Sequence, residues 1–139
     1  MYPEEIVTPC RNELLELGVE EMLTIEDVDK TLKQDSGTTL VVVNSVCGCA
    51  AGSARPAVKL ALQHDVKPDV VASVFAGVDT EATNKAREYM PGVQPSSPSM
   101  ALFKNGELVL MIERYMIEGR YPEQIAAALK DAFDSYCRN

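Results

Sequence analysis

Cysteine is scarce in this sequence: four stand among 139 residues, at positions 10, 47, 49 and 137. Thiols so few and so unevenly spaced exclude the disulfide framework that holds small secreted domains together. Residues 1–5 lack the positive and apolar regions of a secretory leader, and no uninterrupted apolar run reaches membrane-spanning length. We therefore expect a soluble, cytoplasmic protein with no membrane partner.

Basic residues are also in deficit, with 13 lysines and arginines against 21 aspartates and glutamates and a formal net charge of -8. Binding to a nucleic-acid backbone depends on clustered Lys and Arg, so no nucleic-acid partner is expected. What the sequence does have is 46% hydrophobic residues. At this length they suffice for one compact domain and not for two, so residues 1–139 are predicted to form a single domain.

Helix signals occur near both ends of the chain and in its middle. Thr8 followed by Pro9 predicts the start of a first helix, and Thr24 with Asp27 three residues later predicts a capped second helix. Pro56 falls inside the apolar periodicity of the helix that follows residue 49. An internal proline removes a backbone hydrogen bond and bends a helix, so we expect a kink there.

Short apolar runs have the length and valine content of strands. Residues 39–45 and 69–75 are predicted strands, and Asn105-Gly106 predicts a hairpin between 100–103 and 108–112. A last amphipathic helix begins near residue 121. The predicted order is helix, helix, strand, helix, strand, helix, strand, strand, helix, which indicates parallel βαβ units in an α/β protein.

The most informative stretch is Cys47-Gly48-Cys49, which puts two thiols one residue apart where a buried strand gives way to a helix. The partial positive charge and free N–H groups of a helix N-terminus stabilise a thiolate, which lowers the pKa of the sulfur that faces them. A thiolate is the nucleophile of disulfide exchange. The position therefore favours redox chemistry over two alternatives, namely two buried core cysteines or part of a metal site.

The remaining thiols and the single histidine bear on the metal alternative. Two thiolates suit Cu(I), or half of a zinc site, and only His64, Cys10 and Cys137 are available to complete the four ligands of zinc. Nothing in the sequence brings these three together. A lone histidine is usually structural or solvated, which is the prediction for His64. Cys10 is predicted to be a small buried hydrophobe, and Cys137 a more exposed thiol near the chain end.

Two polar side chains that follow the thiol pair could act on it. Arg55 lies within about two helical turns of the thiols and could add positive potential, although an arginine on a helix is usually a solvated surface charge. Ser53 could instead donate a hydrogen bond to a thiolate. Neither residue is placed among the predicted catalytic residues.

The arrangement of βαβ, a helix and then ββα, with a thiol pair after its first strand and a proline before its third, resembles the thioredoxin fold. A central mixed sheet flanked by helices, with extra N-terminal helices, is therefore expected. The chain also resembles, almost from end to end, the bacilliredoxin family of small thioredoxin-like proteins. The segments that carry this resemblance are Thr38–Cys49, Val74–Gly77, Ser96–Leu102 and Ile117–Arg120.

The resemblance implies a thiol-disulfide oxidoreductase that removes the small thiol bacillithiol from mixed disulfides on client proteins. Cys47 would attack the mixed disulfide and Cys49 would resolve the adduct. Ser97-Pro98 would be a cis peptide that faces the thiols, so Ser97 and Pro98, together with Gly48, are the predicted substrate-contact residues. No tightly bound cofactor is expected; bacillithiol would be the thiol co-substrate, and S-bacillithiolated proteins the partners.

The one-residue spacer between the thiols is shorter than in the Cys-x-x-Cys pair of ordinary thioredoxins. Disulfide dihedral angles prefer about 90°, so a bond between Cys47 and Cys49 is expected to be strained and easily reduced. Gly48 is the residue best able to permit it. An oxidising or exchange-type potential is therefore expected. Two alternative functions stay open: a disulfide isomerase or oxidant, and a metal-binding or thiol-sensing module without turnover.

Overall fold

One β-sheet forms the centre of the protein in a computed structural model that describes residues 2–138. The two ends of the predicted domain 1–139 lie outside the described residues. No helix among those residues is long and apolar enough to cross a membrane. The helices are α1 (Glu4–Leu15), α2 (Ile25–Leu32), α3 (Arg55–Ala61), α4 (Thr80–Glu88), α5 (Arg114–Ile117) and α6 (Pro122–Tyr136), and the strands are β1 (Glu20–Glu21), β2 (Thr38–Asn44), β3 (Val70–Phe75), β4 (Ser99–Lys104) and β5 (Glu107–Ile112).

The strands are arranged in the order β1, β3, β2, β4, β5, so β2 is central. β3 runs parallel to β2 and β4 runs antiparallel to it, with Val41 opposite Ala72 on one side and Ala101 on the other. The predicted α/β fold with a mixed sheet is therefore confirmed. The parallel pair β2 and β3, joined through α3, is the predicted βαβ unit.

β2 is buried on both faces, as its continuous apolar run predicts. Leu40 and Val42 belong to a core that includes residues of α1, α3 and α6, whereas Val41 and Val43 belong to a core that includes residues of α2 and α4. Alternate side chains of a strand point to opposite faces, so helices hold β2 from both sides. This packing fixes the C-terminal end of β2, which leads into the thiol pair.

The predicted start of the first helix is wrong. α1 begins at Glu4, after an extended Pro3, and Pro9 lies inside the helix rather than at its first position. Glu4 and Glu5 occupy the first turn, where the helix dipole favours acidic side chains. Pro9 leaves the carbonyl of Glu5 without its helical donor, and Glu5 is exposed, so water can satisfy that carbonyl.

Two other local predictions are confirmed. Thr24 caps α2 through a hydrogen bond from the Asp27 N–H to its hydroxyl, and the Asp27 carboxylate accepts the Thr24 N–H in return. Asn105 and Gly106 both have positive φ, at 51° and 83°, which is the backbone of a tight hairpin turn between β4 and β5. The short elements β1 and α5 are absent from the prediction, because two to four residues carry too little periodicity.

A π-helical turn lies directly before Pro56, where the sequence predicts a kink, and the kink itself stays a prediction. Residues Ala50–Ala54 make this turn, and the Arg55 N–H donates to the Ala50 carbonyl five residues back. Pro56 then falls in the first turn of α3, where its missing N–H costs least. The wider turn thus separates the thiol pair from the regular helix behind it.

Candidate active site

The two thiols lie at the C-terminal end of β2, at the start of the helical segment that leads into α3. Ser45 directly follows β2 and is buried, and its hydroxyl donates a hydrogen bond to the Cys47 sulfur at 3.1 Å. The Cys47 N–H in turn donates to the hydroxyl oxygen of Ser45 at 3.2 Å. These contacts fold the loop back on itself and hold the Cys47 sulfur beside the end of the sheet.

The surroundings of Cys47 lower the pKa of its thiol, although burial acts in the opposite direction. Burial raises the pKa because it removes water from the charged form. The Ser45 hydroxyl, which donates to the sulfur, and the backbone N–H groups of Ala50 and Cys49 together outweigh burial, and the positive charge of Arg114 adds to their effect. The two N–H groups belong to the first helical turn, so the helix-start argument made from the sequence holds.

The pKa of the Cys49 thiol is raised, in contrast to that of Cys47. Burial is the largest cause, and the negative charge of the neighbouring Cys47 thiolate is the next. A hydrogen bond to Cys47 and the carboxylate of Glu118 act in the same direction, whereas the positive charge of Arg114 lowers the pKa. The pair therefore places its first negative charge on Cys47.

Arg114 brings a positive charge to the thiols from a distant part of the chain. It is the first residue of α5, and its Nη1 donates to the Ser97 carbonyl at 3.1 Å. Its Nη2 lies 3.9 Å from the sulfur of Cys49, 65 residues earlier in the chain. Its Nε donates to the Glu118 carboxylate at 2.6 Å. One guanidinium thus connects the proline loop to the second thiol.

The Ser97-Pro98 peptide bond is cis, as the resemblance implies. Pro98 is buried and Ser97 is half-buried. The loop is held by the Ser99 hydroxyl, which donates to the Ser96 carbonyl at 3.0 Å, and by the Arg114 N–H, which donates to the Ser96 hydroxyl at 3.3 Å. Because Arg114 contacts both the Ser97 carbonyl and the Cys49 sulfur, the loop lies beside the second thiol. The contact of Ser97 and Pro98 with a substrate stays a prediction.

Arg55 is not the solvated surface charge expected from its helical position. Its side chain is only 4% exposed, and its Nη1 donates to the Asn44 amide oxygen at 3.0 Å and to the Ser45 carbonyl at 2.8 Å. Its Nε pairs with the carboxylate of Glu13 on α1. Asn44 completes the network, since its Nδ2 donates to the Cys10 carbonyl. Arg55 thus connects the end of β2 to α1. It also holds Ser45, whose hydroxyl donates to the Cys47 sulfur.

Gly48 is exposed, and a Cβ added to it would meet open space. Its φ lies outside the positive range in which side chains are disfavoured. In the reduced protein, therefore, neither crowding nor backbone conformation requires glycine here. The role predicted for Gly48 in permitting a disulfide, and its contact with substrate, stay predictions.

The other side chains considered from the sequence lie away from the sulfurs. Ser53 donates to the Arg120 carbonyl at 2.8 Å, so the suggestion that it bonds a thiolate is wrong. His64 is structural, as predicted, because its Nε2 lies 2.9 Å from the Asp134 carboxylate of α6. Burial raises the pKa of Cys137, which is half-buried rather than exposed.

Cys10 is also half-buried, and its thiol donates to the Ile6 carbonyl within α1 at 3.3 Å. Within residues 2–138, no group of three or more His, Cys, Asp or Glu side chains is placed to hold a metal ion. The residues that could have completed a zinc site are thus engaged elsewhere, because His64 pairs with Asp134 and Cys10 bonds within its own helix.

Ser45 and Arg114 influence the pKa values of the thiols, and neither was predicted from the sequence. Ser45 stands in the Thr38–Cys49 segment, and the only signal for it was a polar residue at the end of a buried strand, two positions before a cysteine. Arg114 lies three positions before the Ile117–Arg120 segment, and no spacing rule connects it to the thiols.

Comparison with solved structures places this architecture among the thioredoxins. A mutant thioredoxin from Halobacterium salinarum superimposes with a TM-score of 0.59 at 24% identity, covering 86% of this chain and 91% of its own. The reduced thioredoxin pre-protein of Schistosoma mansoni gives 0.59 at 18% identity, covering 85% and 97%. The fold is thus that of thioredoxin, with a thiol pair at the end of its central strand.

Sequence comparison assigns the chain to one family. The family model described as disulphide isomerase matches residues 2–137. The bacilliredoxin of Staphylococcus aureus strain NCTC 8325 is 53% identical over 137 residues, covering 99% of this chain and 94% of its own, and that of strain MRSA252 is 53% identical over the same length. The chain therefore belongs to the bacilliredoxin family.

Proposed function

We propose that this protein removes bacillithiol, or a similar small thiol, from mixed disulfides on client proteins. Cys47 is the attacking residue and Cys49 the resolving residue in this proposal. The observation that carries it is the hydrogen bond from Ser45 to the Cys47 sulfur, at the end of a strand and the start of a helix, which stabilises a thiolate on one sulfur of the pair. The name of the Staphylococcus aureus relatives, bacilliredoxin, supports the choice of small thiol.

The first step is a disulfide exchange. The Cys47 thiolate attacks the sulfur of the small thiol in the mixed disulfide, and the bond between that sulfur and the client cysteine breaks. The client leaves as a thiolate and takes a proton from water. A new mixed disulfide joins Cys47 to the small thiol, so the client cysteine is reduced without any external reductant.

The loop beside the thiols is the proposed contact for the client. Ser97 and Pro98 adjoin Arg114, which approaches Cys49, so a client chain that reaches the Cys47 sulfur would pass this loop. Gly48 carries no side chain over the pair and leaves the approach open. We further propose that residues 1–139 act as one domain, that no tightly bound cofactor takes part, and that the protein acts in the cytoplasm.

Mass spectrometry of the protein mixed with a bacillithiolated client tests the function. We expect the client to lose the thiol and Cys49→Ser to accumulate the same thiol on Cys47. Cys47→Ser should leave the client modified, and Cys137→Ala is a matched control because Cys137 lies outside the thiol pair. A client that stays modified with both wild type and Cys49→Ser, with no adduct on Cys47, would contradict the proposal.

Disulfide isomerisation is the second candidate, because the description of the matching family model names that activity. The same Cys47 thiolate would then attack protein disulfides rather than mixed disulfides of a small thiol. Refolding of a client with scrambled disulfides separates the two. Recovery of native pairing that needs Cys47 but no small thiol favours isomerisation, whereas recovery no faster than without the protein contradicts it.

A further inference from the structure

The contact between Arg114 and Cys49 has no part in the first step of the proposed reaction. Cys47, Arg114 and Glu118 are the charged or titratable groups that influence the ionisation of Cys49. Cys47 adjoins it in the same turn, whereas Arg114 and Glu118 both come from the α5 region. Arg114 is the cation of this set, and it stands against the sulfur that must become nucleophilic second.

We propose that Arg114 serves the second step: its guanidinium stabilises the Cys49 thiolate once Cys47 carries a mixed disulfide. This inference deepens the proposed function and rests on it in one respect, since it takes Cys47 as the residue that attacks first. It makes Arg114 a further residue of the reaction, because Nη2 lies 3.9 Å from a reacting sulfur.

The geometry fixes where the guanidinium can act. A guanidinium is planar and presents its N–H groups in set directions. With Nη1 held on the Ser97 carbonyl at 3.1 Å and Nε on the Glu118 carboxylate at 2.6 Å, Nη2 is directed toward the sulfur of Cys49. The Arg114 N–H is also bonded to the Ser96 hydroxyl, so the backbone of the residue is anchored as well.

The charges around Cys49 change when the first step is complete. In the reduced pair, the negative charge of Cys47 opposes ionisation of Cys49. A sulfur in a mixed disulfide carries no charge, so this opposition ends when Cys47 is capped, while Arg114 keeps its contacts with Ser97 and Glu118. Capping of Cys47 is therefore the event that allows Arg114 to favour the Cys49 thiolate.

The second step then proceeds within the pair. Cys49 releases its proton to water, and its thiolate attacks the Cys47 sulfur. The bond between Cys47 and the small thiol breaks, a disulfide forms between Cys47 and Cys49, and the small thiol leaves as a thiolate that takes a proton from water. The protein pair is oxidised and the mixed disulfide is reduced, so electrons balance without another reagent.

Dithiodipyridine, an uncharged aromatic disulfide, separates the two steps in one stopped-flow experiment. Attack by Cys47 releases one thiopyridone, and attack by Cys49 on the resulting adduct releases a second one, each seen by its absorbance. Cys10→Ser and Cys137→Ala are present in every variant, so only the pair reacts. The pH dependence of each phase gives the ionisation of the sulfur that drives it.

Arg114→Gln is expected to slow the second phase about tenfold at neutral pH and to move its midpoint to higher pH, since an opposite charge at this distance is lost. The first phase should change less, because Ser45 and the helical N–H groups still stabilise the Cys47 thiolate. Arg114→Lys should restore part of the second-phase rate. Glu118→Gln removes a negative charge from the same site, so it should move the second midpoint to lower pH.

A role for Arg114 confined to holding the Ser97 loop would give a different result. The second phase would slow without a change in its midpoint, and Arg114→Lys would not recover it; either finding overturns the proposal. If Arg114→Gln does not fold, Arg114→Lys and Glu118→Gln decide the question. The probe contains no bacillithiol, so a negative result in the client experiment does not affect this test. A negative result in this test likewise leaves the client experiment unaffected.

Discussion

The two sulfurs of the pair, although one residue apart in sequence, take their contacts from different regions of the molecule. Cys47 accepts a hydrogen bond locally, from Ser45 two positions earlier, and N–H groups of the helical turn that follows lower its pKa, with a further contribution from the charge of Arg114. Cys49 is approached by Arg114 from the 96–118 region. The contrast shows that neighbouring thiols can differ in pKa when one accepts its hydrogen bond from an adjacent residue and the other is contacted by a side chain from a distant loop.

Removal of each sulfur gives the largest expected contrast between the two regions. Cys47→Ser should abolish both phases of the reaction with dithiodipyridine, because no attacking thiolate remains. Cys49→Ser should keep the first phase and lose the second, leaving a stable adduct on Cys47 that mass spectrometry detects. A second phase that persists in Cys49→Ser would mean that another thiol resolves the adduct.

Loss of Arg55, which supports the region around Cys47, is expected to lower the stability of the protein. Arg55→Ala removes a buried guanidinium that bonds the Ser45 carbonyl and Asn44, so unfolding should become easier by about 2–4 kcal/mol. Denaturant unfolding measures this loss. Lys59→Ala, on the exposed side of the same helix, should change stability by no more than about 0.5 kcal/mol. Equal losses in both variants would contradict the structural role of Arg55.

Ser45→Ala tests the local control of Cys47 alone. It removes the hydroxyl that donates to the thiolate, so the pKa of Cys47 should rise toward that of an ordinary thiol. Below the midpoint the rate follows the thiolate fraction, so the first phase should slow about tenfold there, and the difference should vanish at high pH where both proteins are ionised.

The matched control for Ser45→Ala is Ser53→Ala, which removes a hydroxyl that bonds the Arg120 carbonyl instead of a sulfur. This variant should leave the pH profile of the first phase in place. A similar shift in both variants would show that the change comes from the helical segment as a whole and not from the Ser45 contact.

The smallest effect is expected at Cys137, a thiol outside both regions. Burial raises its pKa, so alkylation of Cys137 should be slower than that of Cys47 at neutral pH. Cys137→Ala should leave turnover of a bacillithiolated client unchanged. A loss of turnover in this variant would add a third thiol to the reaction.

The same contrast explains which parts of the site could be predicted from the sequence. The fold followed from apolar runs and turn residues, and the position of Cys47-Gly48-Cys49 followed from a strand that meets a helix, since both signals lie within a few residues. Arg114 could not be found in this way, because its contact with Cys49 exists only after β4, β5 and α5 have packed. Arg55 was misjudged for the same reason, since its partner Glu13 lies on α1 and a helical pattern does not reveal which arginine is buried.

The first helix shows a different limit. Thr8-Pro9 has the local chemistry of a helix start, yet α1 begins at Glu4 and continues through Pro9. A proline within a helix costs less where the residue whose carbonyl it leaves unpaired is exposed, as Glu5 is. Exposure depends on packing, and local sequence signals do not contain it.

The central claim is that the reduced pair ionises first at Cys47. Alkylation of each thiol as a function of pH, followed by mass spectrometry of the separate peptides, tests it most directly. The account predicts that the rate for Cys47 reaches its plateau at lower pH than that of an ordinary thiol, and that the rate for Cys49 rises only at higher pH. Equal midpoints for the two thiols, or a lower midpoint for Cys49, would contradict it.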